Sequence, residues 1–492
     1  MSTPILWIFV PALMGLVLFF LRRWYRTTVL IGTLTSLVLA IGAILIPINE
    51  LVHLGPLTFK LSDTLVIFGR RLFLNSQDRP LVILIYILVG FWFSAAFEAR
   101  AGRMFVPIGL VLVAVWIAAL AVEPFLFAAL LLELAILLSI PMLSPPGRPP
   151  GRGVIRYLIF QTFGMPFILL TGWLLAGVES SPGDTALVTR ATILLGFGFI
   201  FWLGIFPFHS WLPMMTEEGH PYSISFIFFF LPLMVLLFGL NFLNQYAWLR
   251  QSSSVYEALR IGGVIMMLVG GAWAALQSHL GRILGFAILT STGASLLAIS
   301  AVPTLELFFA MQIPRALALA VWALGLSVLR KTNWEVVAIH EPDTLAPTSI
   351  PKFVPEEAFL FKNIQGMGLR LPLATAAITL ATLSFAGYPL LAGFPIFQAL
   401  WRNLATSAPF VAVLALLGCT GLGIGGLRSL SILVMGLKDS SWHINENWLT
   451  ATFLIIGILL MISIGLFPHW TLPYAASISN IFSQLKTPSI MP

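Results

Sequence analysis

The sequence predicts an all-α polytopic membrane protein. A helix needs roughly 20 apolar residues to span a bilayer, and about 14 apolar runs meet this requirement, so about 14 transmembrane helices are expected. Three observations support this class. Of the 492 residues, 59% are hydrophobic and only 9% are charged, against roughly 25% charged in an ordinary soluble domain. The mean hydropathy is +0.98. Apolar runs recur along the chain, and no hydrophilic segment is long enough for a second domain, so we expect one membrane domain over 1–492.

The apolar runs place the predicted helices in order. In the first part of the chain we expect helices near 5–21, 28–48, 81–97, 105–122, 125–143, 158–176, 190–207 and 222–243. In the second part we expect them near 260–277, 283–302, 305–329, 371–401, 408–436 and 449–468. The N-terminus lacks a basic leading region and a cleavage site, so the first helix is expected to stay in the membrane.

Two of these helices contain prolines that should interrupt them. The run FPFHSWLP carries Pro207 and Pro213, and LSFAGYPLLAGFPIF carries Pro389 and Pro395. A proline removes a backbone donor, which lipid tolerates only where neighbouring groups satisfy the freed carbonyls. Broken helices of this kind often line ion or substrate paths.

The interruptions occupy corresponding places in the two halves of the chain. We therefore expect two inverted repeats, 105–243 and 260–436, each with one proline-broken helix, as in many transporters. The hydrophilic loop 330–369 lies in the second half and is the longest such segment. It is long enough to contact a partner protein.

The net charge of +7 does not indicate nucleic-acid binding, because the basic residues lie in short loops between apolar runs. These residues are more numerous in the alternating loops that begin after the first helix. The positive-inside rule then places both termini outside the cytoplasm. We expect a multi-pass protein of a bacterial plasma membrane or a thylakoid membrane.

Five ionisable side chains within or beside the apolar runs are candidates for a proton path: Glu133, His209, His279, Arg282 and Arg315. Charges inside a membrane are costly and are functional candidates by default. For Glu133 the alternative is a neutral carboxylic acid, hydrogen-bonded to a neighbour, because burial disfavours the charged form.

The other four candidates also have structural alternatives. His209 can cap carbonyls freed by the prolines or serve in packing, and His279 with Arg282 can anchor a turn at the membrane interface. Arg315 follows Pro314 and does not release its proton under ordinary conditions. It can therefore fix a counter-charge or block a path, and a salt bridge to Glu133 or Glu306 is one possibility.

Other motifs carry no catalytic chemistry. The GLGIGG run at 421–426 imitates a nucleotide loop, but it lies in a spanning helix, where small residues permit close helix packing. The single cysteine, Cys419, is expected to be a buried small hydrophobe. The chain has no cysteine cluster, so no redox centre is expected on it.

The sequence resembles the antiporter-like proton-translocating membrane subunits of respiratory complex I, related to multisubunit sodium/proton antiporters and membrane-bound hydrogenases. The resemblance rests on FPFHSWLP with HPYS at 220–223, on AWAALQSHLGRILGFAILTSTG at 272–293, and on LSFAGYPLLAGFPIF at 383–397. Glu133 matches the glutamate of the family's fifth helix, and RYLIFQ at 156–161 matches the start of the sixth.

The resemblance also exposes departures at the positions of the family's relay lysines. A lysine expected before the first helix break is Trp202 here, and the lysine of the eighth helix falls at about Pro232. The acid and lysine of the ninth-helix motif are His279 and Gly281, and the last lysine or glutamate falls at Phe397. Most of the ionisable relay is therefore replaced by apolar groups.

The resemblance implies a subunit of an NAD(P)H or ferredoxin:quinone oxidoreductase that contributes to proton translocation coupled to electron transport. Partner subunits would carry flavin and iron–sulfur clusters and would handle the quinone, while this chain contacts other membrane subunits and lipid. Because the lysines are missing, a non-pumping structural subunit of the membrane arm is the alternative. A cation/proton antiporter or inorganic-carbon transporter subunit is another.

Overall fold

The computed structural model describes residues 2–54, 57–67, 69–144, 149–180, 185–301, 305–340, 357–436 and 444–485. Helices dominate these residues. The helices of the first half are α1 (Val10–Phe20, after a π-helical turn Ile5–Phe9), α2 (Tyr25–Leu45), α3 (Arg79–Ser94), α4 (Phe105–Ala121), α5 (Ala128–Leu143), α6 (Arg152–Ser180), α7 (Thr185–Leu203), α8 (Trp211–Glu218), α9 (Pro221–Gln245) and α10 (Ala247–Arg250). Those of the second half are α11 (Ser253–Leu276), α12 (Leu280–Ser300), α13 (Leu305–His340), α14 (Phe361–Ile364), α15 (Pro372–Phe385), α16 (Phe394–Ser407), α17 (Pro409–Val434), α18 (Trp448–Leu466) and α19 (Leu472–Ser479).

Five short strands lie in two small antiparallel sheets. They are β1 (Leu51–Leu54), β2 (Leu57–Lys60), β3 (Thr64–Ile67), β4 (Arg70–Phe73) and β5 (Val122–Glu123). In the first sheet β1 pairs with β2, and in the second β4 lies between β3 and β5. Leu72 of β4 faces Val122 of β5 in the ladder. Our sequence analysis predicted no strands, so these sheets are an addition to the expected all-α fold.

The predicted class of polytopic, helical membrane protein is confirmed, but the count of fourteen spans is not. Ten helices among the described residues are long and apolar enough to cross a membrane, or up to eleven with the bent pair Phe361–Leu369 and Pro372–Phe385. Three apolar helices are shorter: Ile5–Phe20, Arg79–Ser94 and Phe105–Ala121. The helix predicted over 305–329 continues to His340, and 341–356 of the predicted loop lies outside the described residues.

The centre of the protein is formed by α9, α12 and α13. The most apolar stretch of α12 is 100% buried, and those of α9 and α13 are each 89% buried. The corresponding stretch of α18 is only 22% buried. A helix that is apolar and buried all round belongs in a protein interior, while one with a wide exposed apolar face meets lipid or another subunit.

Each of the predicted repeats, 105–243 and 260–436, contains three long helices, then an interrupted helix, then a last long helix. In the first half the interruption separates α7 from α8, and in the second it separates α15 from α16. Both interruptions predicted from the prolines are therefore present. This order of elements is the one that a repeat requires, while the inverted relation of 105–243 to 260–436 stays a prediction.

The glycine-rich run of α17 packs against α11 at backbone contact. A Cβ atom on Gly421 would lie 2.6 Å from the carbonyl oxygen of Gly271, and one on Gly418 would collide with the Met267 carbonyl. Small residues at such positions let helix backbones approach closely. The packing role expected for the run 421–426 is consistent with this contact.

We predict that Gly421→Leu lowers the thermal unfolding temperature of the purified protein in detergent, because the side chain forces α11 and α17 apart. Overpacking of this kind costs about 1–3 kcal/mol. Gly42→Leu is the matched control, since no heavy atom lies within 4 Å of its added Cβ. Equal unfolding temperatures for the two variants would contradict the packing role.

Candidate functional site

The first broken helix ends at a glycine rather than at its proline. Gly204 has a φ of 64°, in the left-handed region that favours glycine. Its N–H donates to the carbonyl of Phe201 at 3.3 Å, and the N–H of Ile205 donates to the carbonyl of Ile200 at 3.0 Å. These two bonds form a Schellman motif, which satisfies carbonyls at the helix end. Pro207 follows the break instead of causing it.

The second broken helix ends in the same way. Gly387 has a φ of 73°, and its N–H donates to the carbonyl of Ser384 at 3.1 Å. The N–H of Tyr388 donates to the carbonyl of Leu383 at 3.0 Å. Pro389 comes directly after this motif, and Pro395 lies in the first turn of α16, where a proline is tolerated.

Trp202 fills the position at which the family resemblance places a lysine. Its indole Nε1 donates to the carbonyl of Gln161 at 2.9 Å, and the Gln161 amide Nε2 donates to the carbonyl of Trp202 at 3.0 Å. A Cβ on Gly164 would collide with the indole ring, so this glycine makes room for the tryptophan. The Trp202 carbonyl near the end of α7 is thus satisfied by a buried glutamine of α6.

Glu133 lies on α5 and bonds to α6. Its Oε1 accepts a hydrogen bond from the Thr162 hydroxyl at 2.7 Å, while its buried Oε2 has no partner among the described residues. Thr162 itself is exposed on the side of the helix bundle. The expected hydrogen bond to a helix neighbour is therefore present, and the neutral state of Glu133 stays a prediction.

His209 lies in the linker between α7 and α8. Its ring stacks on Phe206, with centroids 5.6 Å apart, and lies 6.4 Å from the ring of Phe286. Its Nδ1 is buried without a hydrogen-bond partner among the described residues. The expected capping of carbonyls freed by Pro207 or Pro213 is wrong, because backbone N–H groups and Gln161 satisfy the end of α7. The contacts of the His209 ring with Phe206 and Phe286 are packing contacts.

A polar cluster surrounds the short helix α8 at one end of the bundle. Arg282 donates from Nε to Oε2 of Glu217 at 2.7 Å, and its Nη2 forms an ion pair with the same oxygen at 2.7 Å. His279 is only 2% exposed, and its Nδ1 accepts the backbone N–H of Arg282 at 3.2 Å as the N-cap of α12. His279 is therefore a buried helix cap at the start of α12.

The same cluster ties α8 to two further helices. The Glu218 carboxylate accepts the backbone N–H of Gly153 near the start of α6 at 2.8 Å. Arg330 of α13 donates to the carbonyl of Gly219 at 3.1 Å.

Burial and the nearby Arg330 guanidinium lower the pKa of His220, just before α9, to about 3. This histidine is accordingly neutral at physiological pH.

Arg315 joins the three central helices. It is only 4% exposed, and its Nη2 donates to the Phe228 carbonyl of α9 at 3.4 Å and to the Thr292 hydroxyl of α12 at 3.0 Å. Pro232 has no N–H, so the Phe228 carbonyl has no partner within its own helix. Arg315 supplies the missing donor beside the position expected for the eighth-helix lysine.

The salt bridge considered for Arg315 is not formed. Within the residues that the structure describes, no carboxylate lies within 4.0 Å of its guanidinium, so neither Glu133 nor Glu306 pairs with it. Nε and Nη1 of Arg315 have no hydrogen-bond partner there. The guanidinium is therefore a fixed, buried cation that is only partly solvated by protein groups.

The five predicted path residues do not form one site. In the described part of the chain, the bond between His279 and Arg282 is the one hydrogen bond or ion pair that links any two of them. From the sequence, Gln161 was named only as part of a motif. Thr292 was not identified as a partner of Arg315, nor Glu217 as a partner of Arg282. A proline four residues after Phe228 was the available signal for an unpaired carbonyl near Arg315.

No known family profile matches the chain. Curated relatives are named NADH-quinone oxidoreductase subunit N. The protein from Rhodococcus opacus is 24% identical over 67% of this chain and 60% of its own length. The subunit N 2 of Acidobacterium capsulatum is 25% identical over 65% of this chain and 66% of its own length. The chain thus matches less than two thirds of the length of either relative.

Solved structures match over nearly the full chain. A chain of the membrane-bound sulfane sulfur reductase, an archaeal respiratory membrane complex, has a TM-score of 0.78 at 14% identity, covering 99% of this chain and 100% of that chain. A chain of the Mrp complex from Dietzia has a TM-score of 0.73 at 14% identity, covering 99% and 98%. A chain of respiratory complex I from Thermus thermophilus has a TM-score of 0.70 at 18% identity, covering 99% and 100%.

These comparisons confirm the predicted resemblance to the antiporter-like membrane subunits. The relatives carry the name of a complex I subunit, and the structures share the whole fold. The chain is accordingly an integral, multi-pass membrane protein.

The cluster around α8 generates a prediction. Glu217→Arg should lower the unfolding temperature, because it places two cations together where an ion pair holds α8 to α12. Arg282→Glu should do the same, and the double variant should recover much of the loss, since the pair is restored with its charges exchanged. The pair is partly exposed, so we expect a coupling energy of about 1 kcal/mol. Additive losses in the double variant would contradict the pairing.

Proposed function

We propose that this chain is an antiporter-like membrane subunit of a complex I type NAD(P)H or ferredoxin:quinone oxidoreductase. The observation that carries the proposal is the similarity to relatives named NADH-quinone oxidoreductase subunit N, over about two thirds of this chain. The whole-chain likeness to a membrane chain of complex I supports it at the level of fold. Proton translocation coupled to electron transport would be a property of the whole complex.

Within such a complex, this chain would seal the membrane arm without a lysine relay of its own. A relay requires groups that take up and release protons in turn. Trp202 and Phe397 cannot do so, and the guanidinium groups of Arg282 and Arg315 do not give up their protons. Of the five path candidates, this leaves Glu133, His209 and His279 as groups able to exchange a proton, and no hydrogen bond joins them in the described residues.

The proposed complex would surround this chain with other subunits and a lipid bilayer. Other membrane subunits would cover the exposed apolar faces, partner subunits would hold flavin and iron–sulfur clusters, and neighbouring subunits would handle the quinone. The chain would lie in a bacterial plasma membrane or a thylakoid membrane with both termini outside the cytoplasm, by the positive-inside rule. The matching Schellman motifs at Gly204 and Gly387 support the proposed repeats 105–243 and 260–436.

A second candidate is a subunit of a cation/proton antiporter, or of an inorganic-carbon transporter, without electron transfer. The likeness to a chain of the Mrp complex favours the antiporter, with a TM-score of 0.73 over 99% of this chain. In this case the partners would be membrane proteins alone. The two candidates therefore differ in whether redox subunits accompany the chain.

Affinity purification of the native complex through a tag on this chain tests the proposal. We expect flavin- and iron–sulfur-containing subunits to co-purify, and the preparation to reduce a quinone with a nicotinamide or ferredoxin donor. A control purification from cells with an untagged chain identifies contaminants. Recovery of small membrane proteins alone, with no flavin or iron–sulfur absorbance, would contradict the proposal and support the antiporter candidate.

A further inference from the structure

A small cavity lies beside Arg315, where the second broken helix meets α12 and α13. Its wall includes Ser291 of α12, Arg315 and Met311 of α13, Ser384 of α15 and Phe397 of α16. The cavity has a volume of about 20 Å³, somewhat more than the roughly 10–15 Å³ that one water requires. It is large enough for one small occupant and too small for a phosphate or an organic acid.

Two residues that line this cavity, Arg315 and Ser384, have unused hydrogen-bond donors. Nε and Nη1 of Arg315 have no partner among the described residues. The Ser384 oxygen accepts the backbone N–H of Gly393 at 3.1 Å, which leaves its hydroxyl hydrogen available. The Ser291 hydroxyl, by contrast, already donates to the Ile288 carbonyl at 2.9 Å. Three donors and an otherwise apolar wall suit an acceptor that carries negative charge.

The charge of Arg315 leads to the same conclusion. The guanidinium is 4% exposed, remains protonated, and within the described residues has no carboxylate within 4.0 Å. A buried cation is costly unless an opposite charge compensates it. A water molecule would satisfy an N–H group but would leave the positive charge in place.

We propose that this cavity binds one monovalent, monatomic anion, for which chloride is the physiological candidate. The anion would accept from Nε and Nη1 of Arg315 and from the Ser384 hydroxyl. It would neutralise the cation that joins α9, α12 and α13. This site is independent of the proposed function, because it requires neither a redox partner nor proton transport.

Equilibrium binding of radioactive chloride to the purified full-length chain, in its native complex, tests the site. We expect saturable binding by the wild type and a loss of affinity of about tenfold or more in Arg315→Gln, as for loss of charged hydrogen bonds. Arg428→Gln is the matched control, since Arg428 is an exposed arginine of α17 that donates to the Ala275 carbonyl. Its chloride binding should equal that of the wild type.

Binding that is unchanged in Arg315→Gln would overturn the proposal, as would the absence of saturable binding in the wild type, which would mean that water occupies the cavity. If Arg315→Gln fails to fold, the wild type alone decides the question. A structure determined in bromide should show anomalous density in contact with Nε of Arg315 and the Ser384 hydroxyl. Lack of that density at saturating bromide would overturn the site.

Discussion

The guanidinium of Arg315 donates to the Phe228 carbonyl of α9 and to the Thr292 hydroxyl of α12, and these bonds connect the three most buried helices. The Phe228 carbonyl needs this donor because Pro232 interrupts the hydrogen-bond ladder of α9. In a membrane interior, no water is present to donate a hydrogen bond to an unpaired carbonyl. The proline and the arginine are therefore physically coupled, although they are far apart in sequence.

Large apolar side chains occupy two of the positions at which the family resemblance places lysines. Trp202 occupies the space above Gly164 and exchanges two hydrogen bonds with Gln161. Phe397 lines the cavity beside Arg315. Trp202 is thus held by two hydrogen bonds to Gln161, while Phe397 borders a small cavity next to a buried cation. A cation is retained at the centre, but in a form that does not exchange protons.

Hydropathy was sufficient to predict the class of fold and most helices, because a bilayer imposes a length and an apolar composition on every span. The prolines were sufficient to predict both interruptions. They were not sufficient to identify the cause of the interruptions. The left-handed glycines Gly204 and Gly387 end the helices, and a glycine at a helix end looks the same in sequence as one in close packing. The strands β1–β5 were missed because their alternation is short and lies in a loop. The partners of Arg315 and Arg282 depend on tertiary contacts that a single sequence does not contain.

We propose that this chain contributes no side-chain proton relay to the proposed complex. The ratio of protons translocated to electrons transferred, measured in proteoliposomes of the intact complex, tests it most directly. The informative variant combines Glu133→Gln, His209→Phe and His279→Asn, which removes the three exchangeable candidates and keeps a cap at the start of α12. The account predicts a ratio equal to that of the wild type at normal assembly. A clear fall in the ratio, with electron transfer unchanged, would contradict it.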